Sequence, residues 1–105
     1  MKCRIYAVHM GDGSIWGVPA QVIADNRAKY YADCDPNTTY QAEFDAMIEW
    51  FDSKDYEFQD WAQNNMNWDD VKEYAFLIKR DVPELDFQDG WVNGECEYIE
   101  QEEQP

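Results

Sequence analysis

The chain has 105 residues and carries 23 acids against eight Lys and Arg, a net charge of −15 at neutral pH. That length makes one domain whose core needs no staples, and 45% hydrophobic content, with five Trp, seven Tyr and five Phe, excludes an intrinsically disordered chain. All but two of the acids fall after residue 30, against half of the bases, which argues against direct binding to nucleic acid or an anionic membrane, since both need a basic footprint.

Three cysteines stand at 3, 34 and 96, an odd number with no C-x-x-C pair, so neither a disulfide framework nor a zinc knuckle is expected. No apolar stretch approaches the ~20 residues of a membrane span, and the N-terminus has no signal-peptide core. The reading is a reduced, cytoplasmic protein.

Residues Lys2 to His9 alternate, Cys3, Ile5 and Ala7 on one side and Arg4, Tyr6 and Val8 on the other. The period of two predicts a strand, with its first side well buried and its second side mixed. Gly11-Asp12-Gly13 supplies a turn, and Ser14 to Val18 returns as the second strand of a hairpin. Pro19 suits the first turn of a helix. From there to about Ala32, Ala20, Ile23, Ala24, Ala28 and Tyr31 share one face of an amphipathic helix.

Asp33 to Thr39 reads as loop. Thr38 with Gln41 fits a capping box, and Phe44, Met47, Ile48 and Phe51 follow at i, i+3, i+4, i+7, the clearest helical pattern in the chain. A shorter helix is expected over Asp55 to Asn65, with Phe58, Trp61 and Ala62 inward. Asn67 is placed to cap another, with Asp69 and Asp70 in its first turn. Its expected core face is Val71, Tyr74, Ala75 and Ile78, its C-terminal end is marked by Lys79 and Arg80, and Pro83 lies beyond.

Asn93-Gly94, between Gly90-Trp91-Val92 and Glu95-Cys96-Glu97-Tyr98-Ile99, predicts a terminal hairpin. The expected architecture is α+β: an N-terminal β-hairpin, three to four helices, and a C-terminal β-hairpin joining one antiparallel sheet. Residues 1–100 form the single domain and 101–105 a flexible acidic tail.

Motifs for chemistry are sparse. Asp33-Cys34-Asp35-Pro36-Asn37 starts like a calcium loop, but the glycine at position 6 and the glutamate at position 12 are replaced by Thr38 and Phe44. His9 is the only histidine, and Cys3, His9 and Cys96 match no zinc spacing. Nothing pairs Cys34 with His9 as nucleophile and base. Gly11-Asp12-Gly13 lacks the remainder of a phosphate loop. No catalytic residue, metal ligand or cofactor-binding residue is therefore assigned, and no cofactor is expected.

The acids themselves form a pattern. Asp45, Glu49 and Asp52 lie at i, i+4, i+7, opposite the apolar stripe of their helix. Asp55, Glu57 and Asp60 continue the acidic surface, as do Asp69, Asp70 and Glu73. Glu95, Glu97 and Glu100 make a further cluster, since alternate strand residues project together. As a solvated face, such a surface keeps a protein soluble. As a contiguous array of carboxylates, it stands in for the phosphates of a duplex, which carries one charge per ~1.7 Å of axis. The expected partner is then a basic protein of the nucleic-acid-binding kind, contacted by Asp45, Glu49, Asp52, Asp55, Glu57 and Asp60, with Glu95, Glu97 and Glu100 as a second patch. Trp50 falls off its helix's apolar stripe, and an exposed Trp beside acids would suit an interface. Two rival readings are a self-associating structural or accessory protein, joined through an aromatic surface or a sheet edge, and a small metal-binding or enzymatic domain.

Over Trp16-Gly17-Val18-Pro19, Asn26-Arg27-Ala28-Lys29-Tyr30-Tyr31, Trp61-Ala62-Gln63-Asn64-Asn65-Met66-Asn67-Trp68 and Gly90-Trp91-Val92-Asn93-Gly94-Glu95, the chain resembles a family of small phage and prophage proteins of unknown function. These blocks cover about a third of the sequence and hold no catalytic motif. The resemblance implies a phage or prophage origin and brings no functional residues with it. It also implies an acidic mimic, because phages often encode small acidic proteins that block host nucleases or immune complexes.

Overall fold

The alternating segments at residues 2–9 and 14–18 become β1 (Lys2–His9) and β2 (Ile15–Pro19), paired antiparallel with Tyr6 opposite Val18 and Val8 opposite Trp16. Between them the chain turns at Gly13, whose φ of 89° suits a residue without a side chain. The turn closes through Met10 N–H donating to Ser14 O at 2.8 Å. The computed structural model describes residues 2–11, 13–79 and 87–102.

Three helices follow, each opening near its expected start. Pro19 ends β2 with φ at −57° and leads straight into α1 (Ala20–Cys34), whose Ala20, Ile23, Ala24 and Ala28 are buried as the pattern requires. The helix runs past Ala32 and takes in Asp33 and Cys34. The cap of α2 (Tyr40–Asp52) is Thr39, not Thr38: Thr39 Oγ1 accepts from Ala42 N–H at 3.1 Å, while Thr38 donates to Glu43. α3 (Tyr56–Asn65) is capped by Asp55, which accepts from Glu57 N–H at 2.9 Å, and it buries Phe58, Trp61 and Ala62.

Two expected elements take another form. The helix read over 67–80 is a single turn, α4 (Trp68–Val71), with Asn67 at its start donating its main-chain N–H to Asp70. The chain then extends into β3 (Phe76–Lys79), which pairs antiparallel with β2 through Trp16–Leu77 and Gly17–Phe76. Of the face expected inward, Val71 is fully buried, but Tyr74 and Ile78 stand 50% and 40% exposed. An open β2 edge beside the run Phe76-Leu77-Ile78 offers main-chain partners that a surface helix turn cannot match. Arg80 and Pro83 lie outside the described residues.

The C-terminal hairpin is likewise replaced, by α5 (Phe87–Asn93) and β4 (Cys96–Glu102). Asn93-Gly94 ends a helix instead of turning between strands: Gly94 N–H donates to Gly90 O at 2.8 Å, the last i→i−4 bond of that helix. A Cβ on Gly94 would run into the main-chain oxygens of His9 and Gly90. Trp91 explains the choice. Its ring is fully buried, and its Nε1–H is shared between Ala62 O and Met66 O at 3.0 and 3.1 Å. β4 pairs with β1 from Lys2–Glu102 to Val8–Cys96, so Gln101 and Glu102 belong to the sheet and not to a tail.

The fold is α+β, with one four-stranded antiparallel sheet in the order β3-β2-β1-β4. All five helices send side chains into one core with Tyr6, Val8, Val18 and Tyr98, so they lie on the Tyr6 side of the sheet. Ile5 and Ala7 are buried as expected, but Tyr6 and Val8, on the side expected to be mixed, are buried as well, and it is that side that faces the helices. Tyr6 carries the largest side chain of β1 and packs against Phe58, Trp91 and Tyr98 at centroid distances of 5.6–5.9 Å. The polar member of that side, Arg4, is accommodated because it reaches Asp52. On the other face, Phe76 lies across Gly17 onto Ile5; a Cβ at Gly17 would meet the two side chains at 2.7 and 2.8 Å. Among the described residues no helix is long and apolar enough to cross a membrane.

Candidate protein-binding surface

The nine carboxylates singled out in the sequence sit on α2, α3 and β4 or immediately before them, and two polar residues help to join these elements. The first is Arg4. Its guanidinium makes a two-pronged contact with Asp52 at the end of α2, at 2.6 and 2.9 Å, and stands opposite Glu100 across the β1–β4 ladder. The hydrogen bond to Asp52 raises the Arg4 pKa, with the charges of Asp52 and Glu100 adding to it. The second is Tyr98. Its hydroxyl donates to Asp55 O at 3.0 Å and accepts from Gln59 N–H at 3.1 Å, which seats the first turn of α3 on β4. Burial pushes the Tyr98 phenol up to about 12. Asp52, Asp55, Glu57 and Glu100 are thereby gathered at one side of the molecule.

The expected β4 cluster is divided by the pleat. Glu100 faces the helices with Arg4, whereas Glu97 pairs with Ala7 on the helix-free face and contacts His9 Nε2. Glu95 precedes the strand. On α2, Asp45 accepts from Gln41 Nε2, and on α3, Asp60 accepts from Asn64 Nδ2, both at 2.8 Å. Among the described residues the side chains of Glu49, Glu57 and Glu95 take part in no hydrogen bond or ion pair.

A cleft of about 440 Å³ lies between the α3 start and β4, lined by Lys54, Tyr56, Gln59, Cys96, Glu97 and Tyr98. Burial raises the Cys96 thiol pKa, with the nearby Tyr6 hydroxyl opposing that rise, so the sulfur is held in its less nucleophilic, protonated form. Tyr6 is fully buried beneath. Its phenol is pushed far above the ordinary range, by desolvation first and then by Cys96. Its hydroxyl has no hydrogen-bond partner among the described residues. The Cys96 thiol beside it is too weak an acceptor to offset the burial.

A second cleft, of about 450 Å³, was not legible in the sequence. It brings Asp25, Tyr40 and Phe44 together with Met66, Glu73 and Tyr74. Tyr40 donates to Asp25 at 2.6 Å and Lys29 pairs with the other carboxylate oxygen at 3.0 Å. Partial burial works to raise the Asp25 pKa, but these two contacts outweigh it and hold the carboxyl below its ordinary value. Asp25 lies in α1 and Glu73 after α4, so only the packing of helices from distant parts of the chain places them on one cleft.

The tryptophans are packing residues. Trp61, Trp68 and Trp91 are buried, and Trp16 and Trp50 are half-buried against the core. Trp50 is covered by the Arg27 guanidinium, 4.7 Å from its ring, with Arg27 also 4.5 Å from Tyr31 and in an ion pair with Glu43 at 2.6 Å. Among the described residues the exposed aromatic rings are Tyr30, Tyr40, Tyr56, Tyr74 and Phe76.

Cys3, His9 and Cys96 are not neighbours. Cys3 and His9 lie at opposite ends of β1, and Cys96 pairs with Val8 on the other face. Asp33 and Cys34 end α1, while Asp35 accepts from Asn37 N–H at 2.9 Å, so the calcium-like segment is a helix end followed by a local turn. Comparison with family models, with curated proteins and with solved structures returns no match.

Proposed function

We propose that this is a non-enzymatic interaction protein whose acidic surface engages a basic, nucleic-acid-binding protein in the manner of a DNA mimic. The observation that carries the proposal is the meeting of α2, α3 and β4. Acids distant in sequence share one side, with Asp52, Asp55, Glu57 and Glu100 around the contacts made by Arg4 and Tyr98. Only four Lys or Arg side chains, Arg4, Arg27, Lys29 and Lys72, form ion pairs with carboxylates among the described residues. With 23 acids against eight Lys and Arg in the sequence, carboxylates far outnumber cations, and a basic partner releases this repulsion on binding. The resemblance to small phage and prophage proteins agrees with such a role.

The test is capture of partners from a bacterial lysate at two ionic strengths, with wild type and with the double reversal Glu49→Lys, Asp52→Lys. The expected result is a nucleic-acid-binding protein held at low salt, shed at moderate salt and lost with the reversal, whose circular dichroism stays native. Binding that ignores both salt and the reversal would sink the proposal.

A further inference from the structure

We infer that copies of this chain associate head to tail through the sheet, the β3 edge of one copy adding to the β4 edge of the next. The inference goes beyond the acidic-surface reading, because it uses main-chain edges and not the acids of α2 and α3. In the order β3-β2-β1-β4 the outer strands are β3 and β4, and neither makes a further main-chain hydrogen bond among the described residues. Unpaired edges are templates for another strand.

Strand polarity fits a second copy. β1 runs antiparallel to β2 and to β4, and β2 antiparallel to β3, so β3 and β4 run in opposite directions. A neighbour displaced along the sheet presents its β3 antiparallel to β4, with its helices on the same side as those of the first copy.

Charge selects that pairing over the alternatives. β4 holds Glu97, Glu100 and Glu102 and no base, whereas β3 holds no carboxylate and ends on Lys79. Two β4 edges repel one another; a β3 edge beside β4 meets opposite charge. The apolar content agrees. Phe76, Leu77 and Ile78 are 39–42% exposed, on an edge that proteins ordinarily guard with charge. Phe76 occupies the helix-free face through its pairing with Gly17, and Ile99 of β4 occupies the same face through its pairing with Ile5. Joining the edges sets the neighbour's Phe76 on the face that carries Ile99, away from water.

Sedimentation velocity of the full chain from micromolar to millimolar concentration tests this, at fixed ionic strength. The sedimentation coefficient of wild type is expected to rise with concentration. Ile78→Glu puts a carboxylate against β4 and is expected to weaken association about tenfold. Glu97→Lys with Glu100→Lys should weaken it similarly, and mixing the two variants should restore it, because the mixture contains matched edges. Leu77→Glu serves in place of Ile78→Glu if that variant's circular dichroism departs from wild type. A wild type that stays monomeric at millimolar concentration overturns the inference. So does a mixture that remains dissociated, or a loss confined to the β3 variant, which would mean β3 pairing with β3. The Glu49→Lys, Asp52→Lys reversal should leave self-association intact, so failure here and failure of the acidic-surface reading are told apart.

Discussion

Tyr6 shows how one residue serves the core and strains it. Its ring meets Phe58, Trp91 and Tyr98 in the middle of the sheet, while its hydroxyl is buried against a thiol. An unsatisfied buried hydroxyl costs more than a net hydrogen bond returns. Tyr6→Phe keeps the ring and removes the liability. It should raise stability by about 1 kcal/mol in urea unfolding; a loss of that size would mean that the hydroxyl has a partner of consequence. The sequence marks Tyr6 as a strand residue and says nothing of this. The same holds for Arg4, whose carboxylate partner Asp52 is 48 residues away.

At the scale of elements, the legible ones were those whose pattern repeats over several turns or alternations. β1, α1, α2 and α3 each carry enough apolar positions in register to specify their type, and in the three helices the buried face as well. The two segments that departed are short, and their signals fit two structures equally. Asn-Gly is a hairpin turn when strands flank it and a helix stop when a helix precedes it; the burial of Trp91 against Ala62 and Met66 decides for the helix. Gly94 is then held by close approach to His9 and Gly90. Gly94→Ala should cost about 3 kcal/mol, because the obstructing atoms are main chain and cannot rotate aside. Its thermal midpoint, measured against wild type, checks this; an unchanged midpoint would argue against the close contact. In the same way, Tyr74 and Ile78 fit an apolar helix face in sequence, but β3 forms because β2 offers an open edge.

For the whole molecule, charge is the controlling property. With few cations to offset 23 acids, the folded state holds like charges closer together than the unfolded chain does. Salt at moderate concentration shortens the Debye length to about 10 Å and should raise the melting temperature by about 4 °C, equivalent to roughly 1 kcal/mol for a domain of this size. A melting temperature that falls with salt would mean that the ion pairs of Arg4 and Arg27 outweigh the repulsion. The arrangement of the acids is also a property of this scale: α2, α3 and β4 are brought together by Arg4, by Tyr98 and by the packing of Phe51 on Phe58.

Composition and local period by themselves determined a single acidic α+β domain, its N-terminal hairpin, three of its helices with their inward residues, and a set of mostly exposed carboxylates. Each of these follows from contacts within a few residues or from totals. Tertiary structure alone decided that Phe76 to Lys79 is a strand, that Trp91 rides on a helix, that Tyr6 and not Ile5 faces the helices, and that Glu97 and Glu100 part to opposite faces. Those outcomes depend on which main-chain edge is open and which ring fills the core, and both are settled by residues far along the chain.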